Sequence, residues 1–226
     1  MEPLAAGIAH EVRNPLAIIR STAQYCLGEV VNNKDLEESL QTIIKSSETA
    51  NRVVSDLVEF ARPEAVDFKQ QSLAPIIKEG LRMVHGRAKT QKVKLSKSVA
   101  RNLPQLFLDK KRFLQAYINF LVNALDSMPN GGKLRVEAAR DNSHRGVRLI
   151  IHDSGKGIPE EVLSKILQPF YSTKKEGVGL GLPIAEGIIR SHGGKVDFKS
   201  QPREGTEVMV LLPVRKRNIN GNHSRY

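Results

Sequence analysis

The sequence contains one cysteine, Cys26, and no tryptophan, and aromatic residues make up only 5% of the chain. A single cysteine excludes an internal disulfide and is typical of proteins in a reducing compartment. No apolar run approaches the roughly 18 residues of a membrane span, and the first residues do not resemble a signal peptide. We therefore expect an aliphatic core and a cytoplasmic location. A membrane anchor, if the natural protein has one, is expected to lie outside this chain.

The positive charge is concentrated in one part of the chain, which has 226 residues and a formal net charge of +11. Residues 1–62 carry 6 Lys/Arg against 9 Asp/Glu, whereas residues 63–226 carry 29 against 15. A basic region indicates an anionic partner or an ordinary solvated surface. Direct binding of nucleic acid is not expected, because the basic residues are not interleaved with aromatic residues and no zinc or zipper pattern is present.

Residues 3–31 have the periodicity of one long helix, in which Pro15 should produce a bend. At about 100° per residue, His10 lies opposite the apolar stripe, with Asn14 one turn further along and Glu11 beside it. An exposed imidazole whose proton is held by a neighbouring carboxylate is a candidate nucleophile, although an ordinary surface histidine fits the same pattern. The apolar stripe has spacings of three and four: Leu4, Ile8, Val12, Leu16, Ile19, Ala23, Leu27 and Val30.

A second helix is predicted after Asn32-Asn33-Lys34, with Asp35 as its N-terminal cap. Its seam alternates steps of four and three, which is a heptad pattern: Leu36, Leu40, Ile43, Ser47, Ala50, Val54, Leu57 and Ala61. Two helices joined by a short loop form an antiparallel hairpin. Two such hairpins in a four-helix bundle would bury both apolar stripes, which favours a homodimer. The alternative is a hairpin packed against its own C-terminal domain.

The rest of the chain has a different organisation. Residues 63–72 are polar without periodicity and are predicted to be a linker. Residues 73–214 read as helix, strand, helix, strands, helix and strands, including a helix over 110–128 capped by Asp109. This order is typical of an α+β two-layer sandwich, with helices on one face of a mixed sheet. Residues 215–226 form a basic, Asn-rich tail that we expect to be frayed.

Two short motifs in this second domain carry potential chemistry. Asn119 and Asn123 lie one turn apart on the predicted helix, and amide oxygens suit Mg²⁺. Asp153 follows an apolar strand, where its carboxylate can accept a hydrogen bond from an exocyclic amine, and Gly155 and Gly157 let backbone approach a planar base. Taken singly, a solvated helix face and a strand-to-helix turn explain these motifs equally well.

A third motif runs from Gln168 to Leu182 and is rich in glycine. Gly177, Gly179 and Gly181 are spaced two apart before a predicted helix, an arrangement that suits phosphates at a helix N-terminus. The segment is not a Walker loop, because no Gly-Lys-Ser/Thr follows, and it is not a convincing dinucleotide fingerprint. A segment flanked by glycines is also a candidate lid.

In combination, the motifs resemble the catalytic core of a two-component sensor histidine kinase. Residues 1–62 are similar to its dimerisation and histidine-phosphotransfer domain. Residues 73–214 resemble the ATP-binding domain of the gyrase/Hsp90/histidine-kinase/MutL superfamily, which has a Bergerat-type fold. The matching boxes are His10-Glu-Val-Arg-Asn-Pro15, Asn119 to Asn123, Asp153-Ser-Gly-Lys-Gly157 and Gly177-Val-Gly-Leu-Gly181. Pro169-Phe170 and Ser172-Thr173-Lys174 resemble the nitrogen-regulation-like subgroup, which implies a short lid.

The resemblance also implies a reaction, with ATP and Mg²⁺ as cofactors. His10 would attack the γ-phosphoryl group, with Glu11 orienting the imidazole ring and taking up its proton. The phosphohistidine would then donate to an aspartate of a response regulator docked on the first helix. In such kinases a polar residue at the position of Asn14 is associated with the opposing phosphatase reaction, in which the phosphorylated regulator is hydrolysed. Asn119 would serve both catalysis and nucleotide binding, and Asn123 would be the metal ligand. The implied nucleotide-binding residues are Asn119, Asn123, Asp153, Gly155, Gly157, Phe170, Thr173, Lys174, Gly177, Gly179, Gly181 and Leu182.

Two other functions remain open from the sequence. A clamp ATPase of the same superfamily would transfer phosphate to water rather than to His10. A basic helical dimer that binds nucleic acid would have no need of the three nucleotide motifs.

Overall fold

The structure is a computed structural model that describes residues 2–29, 33–61, 67–141, 143, 145–173 and 179–214. Within these ranges, side chains are described except at 2–11, 29, 52–53 and 56–61. The chain divides into two compact units, residues 1–65 with 168–184 and residues 66–167 with 185–226. In the described part of the chain, no helix has the length and apolar character needed to cross a membrane.

The N-terminal part is a helical hairpin of α1 (Glu2–Glu29) and α2 (Lys34–Ala61), with Pro15 inside α1. The prediction that Asp35 caps the second helix is wrong. The side chain of Asn33 accepts a hydrogen bond from the Leu36 N–H at 3.1 Å, so the cap lies two residues earlier. An asparagine satisfies an otherwise unpaired N–H at a helix start. Asp35 instead lies in the first turn, where its negative charge interacts favourably with the positive N-terminal end of the helix dipole.

The heptad seam of α2 is divided between buried and exposed positions. Leu40 is 7% exposed and Ser47 is 3% exposed, and on α1 Ala23 is 4% exposed. The alternate seam residues Leu36 and Ile43 are 45% and 41% exposed. Leu40 and Ser47 are therefore covered within the hairpin, while Leu36 and Ile43, which we call the open half of the seam, remain apolar and exposed.

The described elements that follow form a five-stranded sheet, a separate two-stranded sheet and several helices. Their bounds are β1 (Lys69–Gln71), α3 (Leu73–Thr90), β2 (Val93–Val99), β3 (Leu106–Leu108), α4 (Lys110–Asp126), β4 (Gly132–Asp141), β5 (Gly146–Asp153), α5 (Glu160–Leu163), α6 (Gly181–Ser191), β6 (Lys195–Gln201) and β7 (Gly205–Pro213). The predicted linker over 63–72 contains β1, which pairs antiparallel with β3. Its three polar residues have no local strand signal, because their partner strand lies more than 30 residues away.

Five of the strands form one mixed sheet in the order β2-β4-β5-β7-β6. The β2–β4 pair is parallel and the other pairs are antiparallel. Alternate residues of β4, β5 and β7 are buried, so that one face of the sheet forms the core. The helices α3 and α4 contact each other and the strands, which confirms a helical hairpin followed by a helix-covered sheet.

Asp109 joins three segments of the second unit and is 7% exposed. One carboxylate oxygen accepts from the Arg112 N–H and caps α4, as predicted, and the other accepts from the Asp67 N–H at 2.9 Å. The Asp109 N–H donates to His192 Nε2 at 3.0 Å. Burial raises the pKa of the Asp109 carboxyl, but the surrounding N–H donors outweigh it and hold the pKa below its ordinary value of 3.8.

Replacing Asp109 with alanine is expected to lower the free energy of unfolding by about 2 kcal/mol at neutral pH, because a cap and a buried hydrogen bond are lost. A carboxyl with a lowered native pKa stabilises the fold above its unfolded-state pKa, and this contribution disappears as the pH falls through the native value. The difference between the proteins should therefore shrink at acidic pH. Denaturant titrations across pH measure this, with the exposed Asp197→Ala as control; a constant difference at every pH would contradict the role of the charge.

Candidate ATP site and phosphoacceptor helix

The two asparagines predicted to act together lie on α4, which runs from the Asp109 cap to Asp126. Asn119 and Asn123 are half-buried and one turn apart, beside the buried residues that pack α4 into the core. Ser127 is the C-cap of this helix, and its N–H donates to the Asn123 carbonyl oxygen at 3.2 Å. The helix therefore ends one turn beyond Asn123, slightly before the predicted end at residue 128.

Asp153 is the last residue of β5, a strand with a neighbour on both sides, and its side chain is 3% exposed. Its Oδ1 accepts hydrogen bonds from the Gly155 N–H and from Ser127 Oγ, each at 2.8 Å. Burial raises the pKa of the Asp153 carboxyl above its usual 3.8, although the hydrogen bonds from Gly155, Ser127 and the Thr206 main chain oppose the shift. A buried carboxylate held by several donors is a rigid acceptor.

The two glycines after Asp153 are needed for packing within the domain itself. A Cβ at Gly155 would lie 1.9 Å from Ser127 Oγ, and a Cβ at Gly157 would lie 1.9 Å from the carbonyl oxygen of Gln201. Gly157 also has a φ of +68°, which favours glycine. These glycines therefore bring the loop close to the end of α4 and to β6.

The glycine-rich segment is described on either side of residues 174–178. Lys174 and Gly177 lie outside the described residues. Gly179 has a φ of +74°, and its Cβ would lie 2.4 Å from the Tyr171 carbonyl oxygen. Phe170 is 60% exposed with a φ of +66°, an uncommon conformation for an aromatic residue. Thr173 is exposed, and Gly181 and Leu182 open α6.

His10 and Glu11 lie in α1, and their side chains are outside the described part of the structure. The neighbouring Arg13 donates from Nη2 to Ser55 Oγ of α2 at 3.1 Å, while Ser55 donates to the Asn51 carbonyl oxygen. This hydrogen bond links the two helices about one turn beyond His10. Asn14 is exposed on α1.

Comparison with known proteins assigns both parts of the chain. Residues 2–66 match the His Kinase A (phospho-acceptor) domain. Residues 108–216 match the histidine kinase-, DNA gyrase B- and HSP90-like ATPase. The chain contains a histidine kinase core.

The curated proteins similar to this kinase core include sensor histidine kinases. It is 33% identical over 211 residues to the sensor histidine kinase ZraS of Escherichia coli (strain K12), a match that covers 93% of this chain and 45% of ZraS. The chain thus spans about half the length of the curated relatives it matches. Full-length ShkA in complex with AMPPNP has the same fold, with a TM-score of 0.79 and 21% identity over 94% of this chain and 46% of that one. The histidine kinase ThkA, solved with the response regulator protein TrrA, gives 0.70 at 24% identity over 94% and 61%.

Within the ATPase unit of the kinase core, the structure brings two of the three predicted motifs together. The α4 asparagines and the Asp153 loop are linked through Ser127, whose carbonyl oxygen also accepts from the Lys156 N–H at 3.2 Å. Sequence reasoning missed Ser127 and Thr206 as partners of Asp153. Neither carries a local signal, because Ser127 is an ordinary residue after a helix and Thr206 is the second residue of a strand, 53 positions after Asp153.

Proposed function

We propose that the chain catalyses ATP-dependent autophosphorylation of His10 and transfer of the phosphoryl group to an aspartate of a response regulator. The observation that carries the proposal is the presence, on one chain, of a phosphoacceptor helix and of an ATPase unit with a buried, firmly held carboxylate at Asp153. A clamp ATPase would have no need of the first, and a nucleic-acid-binding dimer would have no need of the second.

The Asp153 carboxylate suits recognition of adenine. Two carboxylate oxygens offer about four acceptor positions, and Ser127 Oγ and the Gly155 N–H both donate to Oδ1. A position therefore remains for one further donor, such as the exocyclic amine of adenine. A carbonyl oxygen, which guanine has at the equivalent place, would be repelled by the buried negative charge.

Asn123 fits a magnesium ion that is bound together with the nucleotide. Its side chain is half-buried, and its amide oxygen is a hard ligand of the kind Mg²⁺ accepts. The described residues contain no cluster of three or more His, Cys, Asp or Glu side chains that could hold a metal ion. One protein ligand suits an ion that keeps several waters and substrate phosphates. When bound, Mg²⁺ would neutralise charge on the phosphates, and we assign Asn119 to the same face as a further polar contact.

In the proposed reaction, a ring nitrogen of His10 forms a bond to the γ-phosphorus while the bond to the leaving ADP oxygen breaks. Glu11 takes the proton that the imidazole releases. We assign the phosphate loop to Gly177, Gly179, Gly181 and Leu182. We assign the lid to Phe170, Thr173 and Lys174. We assign this short lid to the nitrogen-regulation-like subgroup, and we place the reaction in the cytoplasm, where ATP is available.

Incubation with γ-labelled ATP tests the proposed reaction against both alternatives. The kinase predicts label on the protein that is stable in base and lost in acid. Released phosphate with no labelled protein would instead identify a clamp ATPase. If neither labelled protein nor free phosphate is formed and the chain does not bind ATP, the remaining alternative is the dimer that binds nucleic acid.

The surface of α1 supports a docking site for the regulator. Ile18 and Tyr25 are 65% and 72% exposed. By helix geometry they lie within about 40° of Asn14, on the face that also carries His10. Large exposed apolar side chains beside a phosphoryl donor suit a partner that must approach it closely. ThkA was solved with a response regulator, and we extend that class of partner to this chain.

Asn14→Ala is expected to lose phosphatase activity towards phosphorylated regulator while keeping most autokinase activity. An amide can orient a water molecule by hydrogen bonds but cannot act as a general base. Glu11→Ala should do roughly the opposite, because it loses the proton acceptor. Both activities are measured on both variants. Equal loss of the two activities in Asn14→Ala would indicate that this residue only shapes the helix before Pro15.

The open half of the α2 seam supports a homodimer. A charge there should prevent two hairpins from burying their apolar residues together, so Ile43→Glu is expected to convert the dimer into a monomer. Light scattering on the full chain measures the mass, and Gln41→Glu on the exposed surface of α2 is the control. A wild-type chain that is already monomeric would favour the alternative in which the hairpin packs against its own C-terminal domain.

A further inference from the structure

Ser127 has no place in the phosphoryl-transfer reaction described above, yet it touches both nucleotide motifs of the second unit. Its N–H donates to the Asn123 carbonyl oxygen at 3.2 Å, and its carbonyl oxygen accepts from the Lys156 N–H at the same distance. Its hydroxyl lies 2.8 Å from Asp153 Oδ1. The main-chain bonds hold the backbone of Ser127 between α4 and the loop. The contacts of Oγ with Asp153 and with the Ala124 carbonyl oxygen orient the hydroxyl.

The loop after Asp153 closes tightly on this hydroxyl. A Cβ at Gly155 would lie 1.9 Å from Ser127 Oγ, and the Gly155 N–H donates to the same carboxylate oxygen that Ser127 contacts. Two donors from different segments therefore converge on Asp153 Oδ1. Asp153 is 3% exposed, so these two donors hold a largely buried carboxylate.

The Ser127 hydroxyl has one proton and two acceptors within reach. Ser127 Oγ lies 2.7 Å from the Ala124 carbonyl oxygen and 2.8 Å from Asp153 Oδ1. A hydrogen bond to an ionised acceptor is about twice as strong as one to a neutral acceptor. With Asp153 ionised, the proton therefore points to the carboxylate. The hydroxyl stabilises the charged form of Asp153 and holds its orientation.

We propose that Ser127 is a positioning residue for the nucleotide base: it fixes the Asp153 carboxylate so that the remaining acceptor position meets the exocyclic amine of adenine. This inference rests on the proposed ATP-binding function. This role does not require Ser127 to touch the nucleotide. Its contribution is the orientation and charge of the group that does.

The test is a thermodynamic cycle in which the Ser127 hydroxyl is removed from the protein and the exocyclic amine is removed from the ligand. Binding affinities are measured by calorimetry on the full chain. The ligands are ADP and the diphosphate of purine riboside, which lacks the exocyclic amine. The wild type is expected to bind ADP about tenfold more tightly than the analogue, equivalent to about 1.4 kcal/mol. In Ser127→Ala this preference should fall to about twofold or less, because the amine meets a carboxylate that is no longer held. Ser127→Thr, which keeps a hydroxyl, should restore the preference.

Ser164→Ala is the matched control. Ser164 is also a helix C-cap whose hydroxyl donates to the carbonyl oxygen three residues earlier, at 3.3 Å, but it lies on α5, and the Glu161 carbonyl oxygen is the acceptor. This variant should keep the wild-type preference. If Ser127→Ala does not fold, Ser127→Cys preserves the volume with a weak donor and should lower the preference in the same direction.

The outcomes separate this inference from the proposed function. A wild-type chain that binds neither ligand overturns the nucleotide-binding function. A wild type that prefers ADP, with an unchanged preference in Ser127→Ala, overturns the positioning role alone. Equal weakening of both ligands by Ser127→Ala would also overturn it, because that result reflects a general structural effect rather than coupling to the amine.

Discussion

His10→Gln is expected to abolish phosphorylation of the protein while leaving nucleotide affinity within a few-fold of wild type. Glutamine lacks the nucleophilic ring nitrogen but forms helix well, so α1 should be retained. The histidine lies in the helical hairpin, whereas Asn123 and Asp153 lie in the sheet unit. Incorporation of γ-labelled phosphate and calorimetry with ADP measure the two properties separately.

The control for this substitution is His85→Gln, which changes an exposed histidine on α3. It should keep the full label. Label retained in His10→Gln would show that another residue accepts the phosphoryl group. A loss of ADP affinity as large as that of a nucleotide-site variant would instead contradict the division of labour between the hairpin and the ATPase unit.

Asp153→Asn is expected to weaken ADP binding by roughly ten- to a hundredfold, and the preference for adenine over guanine should decrease. Lost hydrogen bonds to a charged group are worth about 1–3 kcal/mol. An asparagine offers one acceptor oxygen and an NH₂ group, so it cannot accept from Ser127, Gly155 and Thr206 while also receiving the base amine. Without the negative charge, a guanine carbonyl oxygen is no longer repelled.

The fold of Asp153→Asn should survive, because burial already disfavours the charged form of Asp153 and the substitution removes that charge. Thermal unfolding checks this point, and calorimetry with ADP and GDP measures affinity and preference. Asp197→Asn on exposed β6 is the control. Unchanged affinity for ADP in Asp153→Asn would remove Asp153 from the base site.

Several features followed from the sequence because their causes are local. Apolar residues at spacings of three and four predict α1 and α2, and alternating residues predict β4 and β5, whatever these elements pack against. The capping of α4 by Asp109 follows from a side chain that reaches a main-chain N–H three residues later. Asn119 and Asn123 share a face for the same geometric reason.

The tertiary structure decided the features that depend on residues distant in sequence. The β1 strand exists because Leu106–Leu108 pairs with three polar residues that carry no strand signal. The glycine at 157 is required by the approach of Gln201, 44 positions away. Asp153 could be recognised as a candidate ligand from its place after an apolar strand, but its burial and its contacts with Ser127 and Thr206 arise only when α4, β5 and β7 come together. The spacing of apolar residues and the capping of helices depend on residues that are neighbours along the chain. The charge state and orientation of a buried carboxylate depend on the residues that the fold places around it.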